Sequence, residues 1–311
     1  MDANSGRAAK GKSFSFSKLI HNEKLAGLIC CLPFIVGMLA FLIVPMVMSL
    51  YYSFTNFNIL SPPTWTGISN YVKVFSDDRF WRSLQATFTF AFSSVPLRLI
   101  FALLIAMLLL KARKLTGLYR AMYYLPSILG GSLAVAILWG RMFTAGGVVN
   151  NILGIFGLNR GFPWLGDIRT TIWTLVLLAV WQFGSSMLIF LASLKQIPQS
   201  LYEASDIDGA NKIRQFFKIT LPLLTPTIFF NLVMQTINGF LAFTQAFVIT
   251  GHRGPPMQST FFYSLFMYSQ TFEFNNAGYA SALAWVMLLL IATITSILFL
   301  TRRFWVYDGG V

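Results

Sequence analysis

The chain has 311 residues, of which 56% are hydrophobic and 11% charged, with a mean hydropathy of +0.66 and a formal net charge of +13. A soluble domain carries about 25% charged residues, so this is membrane-protein composition, and length no longer counts soluble domains. A basic balance raises nucleic acid as a partner, and the placement of the cations argues against it below.

The chain begins with a basic tail, residues 1–24, that contains "GRAAKGKS" from Gly6 to Ser13. Written as a pattern this is G-x-x-x-x-G-K-S, the phosphate-binding loop signature of ATPases and GTPases. A true phosphate loop joins a buried β-strand to a helix. Only "MDANS" stands before Gly6, and apolar spans rather than an α/β domain follow. The segment is expected to be a cytoplasmic tail and not an ATP site.

Six segments have the roughly 20 mostly apolar residues that a bilayer-spanning helix needs. They run from about Leu25 to Tyr52, Leu84 to Leu110, Ala121 to Phe143, Thr171 to Leu194, Leu221 to Thr250 and Tyr279 to Leu300. The first span contains Pro33 and Pro45 and is too long, with no small-residue cleavage motif after it, to read as a removed signal. Cys30 and Cys31 lie in it side by side and read as two small buried hydrophobes, not as a disulfide or metal site.

With six spans, fifteen Lys and Arg residues share one side. They are Arg7, Lys10, Lys12, Lys18 and Lys24 in the tail; Lys111, Arg113, Lys114 and Arg120; Lys195, Lys212, Arg214 and Lys218; and Arg302 and Arg303. The opposite loops hold seven: Lys73, Arg79, Arg82, Arg141, Arg160, Arg169 and Arg253. This bias places both termini in the cytoplasm, so the basic balance reports orientation and no nucleic acid is expected.

Arg98 alone is a charge deep inside a span, which makes it a functional candidate against the plainer reading that it snorkels or bonds backbone carbonyls. No span interior contains Asp, Glu or His, so an acid-based proton or sodium relay has no obvious residues. An intramembrane enzyme is disfavoured too, because His21 and His252 lie outside the spans.

The connection "KQIPQSLYEASDIDGANKIRQFFKIT", Lys195 to Thr220, has its own internal design. Ser200 and Glu203 have capping-box spacing, so a helix is predicted to start at Ser200. Leu201, Tyr202, Ala204 and Ile207 can form its apolar patch. Gly209 can end it in the left-handed conformation. Asp206 and Asp208 lie near that end, where the helix dipole disfavours acids. "NKIRQFFKIT" then begins a second helical stretch, and Pro222 and Pro226 mark the start of the fifth span. Such a short surface helix suits docking; it equally suits resting on lipid headgroups.

"EASDIDGANKIRQFFKITLPLLTP" resembles the EAA loop of permease subunits in binding-protein-dependent ABC importers. Glu203-Ala204-Ser205 stands for E-A-A, with Ser205 a mild departure that keeps a small side chain; Asp208-Gly209-Ala210 supplies "DGA" and Leu221-Pro222 the later "LP". The likeness covers about residues 25 to 305. "PFIVGMLAFLIVPMVMSLYYSFTNF", "WTGISNYVKVFSDDRFWRSL", "YRAMYYLPSILGGSLAVAILWGRMF" and "LTRRFWVYDGGV" resemble the carbohydrate-uptake permeases of the maltose and glycerol-phosphate type, nearest the first of the two permeases in such systems.

The resemblance implies an all-α integral membrane protein: six transmembrane helices in the type I ABC importer permease fold, with a cytoplasmic coupling helix. It implies a permease domain over 25–305, a coupling loop over about 195–220 and a short cytoplasmic tail over 306–311. The chain would be a non-catalytic subunit in the bacterial-type inner membrane. Its partners would be a second, usually different permease, two ATP-binding subunits and an extracytoplasmic solute-binding protein. Glu203, Ala204, Ser205, Asp208 and Gly209 match the motif that couples to the ATPase. ATP and Mg would be held by the partner ATPases and no cofactor by this chain. The opposed reading is a stand-alone secondary transporter or channel.

A sugar site wants hydrogen-bonding side chains and an aromatic surface. The fourth span offers Trp181, Gln182, Ser185 and Ser186, within helical reach of one face. The fifth offers Asn231, Gln235 and Asn238, then Phe240, Phe243, Thr244 and Gln245. Buried amides should face protein or a wet cavity, and similar permeases bind sugar with these two spans. Interhelical bonding explains the same residues equally well. Arg98 or Arg141, if either reaches the cavity, would favour an acidic sugar or sugar phosphate over a neutral one, and a non-sugar substrate also stays open.

Overall fold

A computed structural model describes residues 23–111, 116–157, 159–251 and 259–307. The Gly6–Ser13 segment, His21, Arg113, Lys114, His252, Arg253 and residues 308–311 lie outside them. The chain divides into two units, residues 1–51 and 52–311.

From the first unit, α1 (Glu23–Met38) runs through a π-helical turn (Leu39–Ile43) into α2 (Val44–Ser53), whose last two residues belong to the second unit, and Gly27–Ser53 is long and apolar enough to cross a membrane. The π turn has a cause. Pro45 has no N–H and its ring would clash with the carbonyl four residues back, and widening the turn just upstream relieves this. A second π turn, Phe216–Thr220, stands in the same place before Pro222. Cys30 and Cys31 are exposed, not buried as expected. Hydrocarbon is itself apolar, so an apolar side chain on a spanning helix needs no protein cover.

The second unit is α-helical, and among its described residues the only β pairing is two isolated bridges, Thr55 with Trp65 and Asn58 with Ser61. After α3 (Ser69–Ser76), Asp77 starts the long α4 (Asp78–Lys111): its Oδ1 accepts the Arg79 N–H at 2.9 Å and its Oδ2 faces Arg79 Nη2 at 3.1 Å. Then come α5 (Thr116–Leu129), α6 (Leu133–Met142), α7 (Val148–Ile155), α8 (Ile168–Trp181) and α9 (Gly184–Gln196). The loop holds α10 (Gln199–Ile207) and α11 (Lys212–Gln215). The chain closes with α12 (Leu221–Phe240), α13 (Thr244–Thr250), α14 (Tyr263–Phe272) and α15 (Ala277–Trp305).

Among the described residues, four helices are long and apolar enough to span, and two bent pairs bring the number to six if each pair is one span. The third predicted span is one such pair: α5 and α6 meet at 96° instead of running straight from Ala121 to Phe143. Pro126 weakens the end of α5, Gly130-Gly131 breaks it, and Ser132 caps α6 by accepting the Val135 N–H. The fourth bends by 43° between α8 and α9. The fifth stops at Phe240, short of the expected Thr250, and resumes as α13 after a turn from Gly239 to Ala242.

Helix α4 is the axis of this unit, packed against α8, α9, α12 and α14. Ala91, Ala102 and Ala106 on it are buried and let neighbouring backbones approach, as small residues do where lipid supplies no hydrophobic drive. Val95, Leu99 and Leu109 pack with Phe183, Met187 and Phe190 of α9 and its start. Ala86 and Phe90 join Tyr263, Phe266 and Leu283 in a second cluster. Tyr263 is fully buried; its hydroxyl donates to the Leu283 carbonyl at 2.7 Å and its N–H to Thr87 Oγ1 at 2.9 Å.

Candidate functional site

A cavity of about 240 Å³ lies where α4, α8, α12 and α13 meet. Its polar wall comes from Ser94, Arg98, Gln182, Gln235, Asn238 and Gln245. Phe90 and Phe262 add an aromatic wall, their rings 4.9 Å apart.

The broken spans aim these groups. A helix end leaves carbonyls without intrahelical partners, and α8 ends at Trp181, beside Gln182. The Gln182 carbonyl accepts from Arg98 Nη2 and from Ser127 Oγ, the latter at 2.9 Å. Ser127 Oγ in turn accepts the Ser185 N–H at 3.1 Å, bridging the bend. Gln245 Nε2 donates to the Gly130 carbonyl at the other break, at 3.3 Å. Gln235 Nε2 donates to Ser186 Oγ at 3.2 Å. Two residues of this wall each carry a buried polar atom with no partner among the described residues: Arg98 Nε, a donor, and Gln235 Oε1, an acceptor. An unpaired buried polar group costs about 1–3 kcal/mol.

Of the candidates read from sequence, Gln182, Gln235, Asn238 and Gln245 share this wall. The other seven candidates from the fourth and fifth spans do not line it. Trp181 packs on Trp139, with centroids 5.9 Å apart. Ser185 is used through its N–H at the bend, and Ser186 sits behind Gln235. Phe240 is buried against Phe88 at 5.0 Å, Phe243 stacks on Phe247 at 5.2 Å, and Thr244 starts α13. Asn231 turns to its own helix, donating to the Thr227 carbonyl at 3.0 Å. Arg141 is exposed and off the wall. Sequence reading missed Phe90, Ser94 and Phe262; the signal for the first two was their spacing of i, i+4 and i+8 with Arg98 on one face of α4.

The second feature is the loop. Helix α10 starts at Gln199 with Pro198 at its N-cap and no side-chain cap, not at Ser200 with a capping box. Pro198, at φ −60° and ψ +130°, lies outside the helical region, and the helix begins directly after it. Gly209 has φ +72°. Its N–H donates to the Asp206 carbonyl at 3.1 Å and the Ala210 N–H to the Ser205 carbonyl at 2.9 Å, which together form a Schellman motif.

One side of α10 is tied down. Tyr202 Oη and Thr220 Oγ1 are 2.8 Å apart. Ser205 Oγ donates to the Tyr202 carbonyl and accepts from buried Gln215 Nε2, both at 2.8 Å. Lys212 Nζ reaches Asp206 Oδ1 at 3.0 Å. Hydrogen bonds from Lys212 and Gln215 hold the Asp206 carboxyl below its ordinary pKa and offset its place at the helix C-terminus. The opposite side leaves Leu201, Glu203, Ala204, Ile207 and Asp208 exposed, with Ile207 at 88%. The expected apolar patch is therefore split: Leu201, Ala204 and Ile207 face out, and Tyr202 turns inward.

A polar cavity ringed by broken apolar helices, together with an exposed helical knob on a loop, defines a membrane-embedded transport subunit. The chain belongs to the family of the binding-protein-dependent transport system inner membrane component, whose profile matches residues 68–305. It is 50% identical over 292 residues to a probable ABC transporter permease protein, YesP of Bacillus subtilis (strain 168), with 94% of each chain covered. It is 32% identical over 291 residues to the trehalose/maltose transport system permease protein MalF of Thermococcus litoralis, covering 93% of this chain and 97% of that one. With the lactose transport system permease protein LacF of Rhizobium radiobacter it shares 33% identity over 246 residues, 77% of this chain and 81% of the other. A chain in the crystal structure of a bacterial ABC transporter involved in the import of the acidic polysaccharide alginate matches with a TM-score of 0.76 at 22% identity, over 93% of this chain and 98% of that chain. The fold is that of a type I ABC importer permease, and the chain is a multi-pass, non-catalytic transport subunit.

Proposed function

We propose that this chain is one permease of an ATP-driven importer that takes up a sugar or oligosaccharide. The observation that carries the reading is the joint presence, in one member of this family, of a cavity rich in amides and Phe and an exposed α10. The names of the sugar-permease relatives favour a saccharide over other cargo. In this reading a second permease completes the pathway, and an extracytoplasmic solute-binding protein delivers the cargo. Two ATP-binding subunits hold ATP and Mg, which this chain does not bind. Glu203, Ala204, Ser205, Asp208 and Gly209 form the docking knob against an ATPase subunit. Ser205 faces the supporting network and acts by fixing the knob's angle. Gln182, Gln235, Asn238 and Gln245 line the substrate path; Trp181, Ser185, Ser186, Phe240, Phe243 and Thr244 support it from behind. The positive bias puts the loop and both termini in the cytoplasm. A docked helix transmits ATPase closure as a rigid-body change, consistent with spans that hold no acid relay.

The test is uptake by proteoliposomes carrying the assembled transporter. Expected is saccharide uptake that requires ATP and collapses when Glu203 and Ile207 are both replaced by Arg. Uptake by this chain alone without ATP would instead support a stand-alone transporter or channel.

A further inference from the structure

The inference rests on the saccharide reading and concerns which saccharides the cavity takes. Among the described residues, Arg98 is the one ionisable group on the cavity wall. Among the described residues, the candidate spans hold no Asp, Glu or His apart from Asp78 at the first position of α4. Among the described residues the guanidinium therefore has no anionic partner in the spans. Its nearest compensation is the Gln182 carbonyl at the end of α8, and a helix C-terminus carries only about half a negative charge. One edge of the guanidinium is also unused: Nε is buried with no partner. Arginine presents its donors as a planar fork that fits a carboxylate bidentately. Gln235, which lines the same cavity, has an unfilled acceptor, Oε1, suited to a hydroxyl. The cavity, at about 240 Å³, falls just below the roughly 300 Å³ at which drug-sized sites begin, which suits a single sugar unit.

We propose that the cavity binds an acidic sugar unit, a uronate within an oligosaccharide, with its carboxylate on Arg98 and a ring hydroxyl donating to Gln235 Oε1. The structural role of Arg98 at the α8–α9 bend and this binding role are compatible, because the first takes one N–H of Nη2, and Nε–H with the second N–H of Nη2 makes the two-donor edge that a carboxylate needs.

The experiment uses the full chain in nanodiscs and titrates two probes by calorimetry at pH 7: a tri-uronate and its fully methyl-esterified, neutral counterpart. The wild-type chain is expected to prefer the free acid by about tenfold or more, the worth of one charge-assisted hydrogen bond. Arg98→Gln should bring the acid's affinity down to that of the ester, and Arg98→Lys, which keeps the charge without the fork, should fall between. Equal binding of acid and ester by the wild-type chain overturns the proposal while leaving the saccharide reading intact, and it needs no variant that must fold. A preference for the acid that survives Arg98→Gln also overturns it. Failure of both probes to bind overturns the proposal and the saccharide assignment of this cavity together.

Discussion

Replacing Gly209 by Ala isolates one term in the loop. A Cβ at Gly209 meets no atom within 4 Å, so within this chain the substitution is sterically free. What remains is torsional. Gly209 sits at φ +72°, and an L-residue pays about 1–2 kcal/mol for the left-handed region. That energy lies in the Schellman turn, so local opening of the loop should rise about 5- to 30-fold. Hydrogen exchange read by mass spectrometry on peptides spanning 204–212 measures it, through the N–H groups of Asp208, Gly209 and Ala210. Gly209→Asn is the control, because Asn tolerates this conformation and should recover most of the protection. Wild-type protection in Gly209→Ala would refute the torsional argument. If the assembled transporter loses uptake equally with Ala and Asn, the open space at Gly209 is filled by a partner and sterics govern there.

Three further outcomes are expected. Gly184→Leu should prevent α5 and α9 from packing, because a Cβ there overlaps the Tyr123 carbonyl and comes within 2.7 Å of Tyr124 Cα; about 1–3 kcal/mol of overpacking should appear as a lower Tm or poor recovery in detergent. Tyr263→Phe removes the buried bond to the Leu283 carbonyl and should lower stability by about 0.5–1.5 kcal/mol, measured by chemical denaturation in the same detergent. The lowered pKa of Asp206 means that its contribution to the loop is present above the ordinary Asp value of about 3.9 and fades as pH falls towards the lower folded value. Spin labels at Glu203 and Ile213 should therefore give a narrow distance distribution at pH 7 that broadens only below about pH 4, with Asp206→Asn broad at both; a distribution unchanged by acid or by the variant would remove Asp206 from the account.

Much of this was readable along the chain because the signals are local. Gly209 ends α10 as its sequence context predicts, since the turn it makes needs only its own backbone freedom. The apolar spans were legible from length alone. The breaks in them were not, although Pro126 and Gly130-Gly131 marked the third. Whether such residues kink a membrane helix or end it depends on what satisfies the freed carbonyls, here Gln245 at Gly130 and Arg98 with Ser127 at Gln182. Those partners are 55 to 115 residues away in sequence. Periodicity placed Gln182 and Gln235 among the polar residues of their spans but did not separate Asn238, on the cavity wall, from Asn231, bonded to its own helix. The capping box expected at Ser200 does not form: the helix starts one residue earlier, at Gln199 directly after Pro198, with no side-chain cap.

The hydrogen bonds that tie α10 to its stem also give the loop a lever arm. Tyr202 grips Thr220, and from Thr220 the chain runs without a loop through α12 to Gln235, fifteen residues on. At about 1.5 Å per residue that arm is about 22 Å long. A tilt of about 5° at its base would swing the cavity end by about 2 Å, comparable to making or losing a hydrogen bond at Gln235 Oε1. The weak points of such an arm are Pro222 and Pro226 near its fulcrum, so substitutions there should change how far a push on the loop travels before they change the cavity itself.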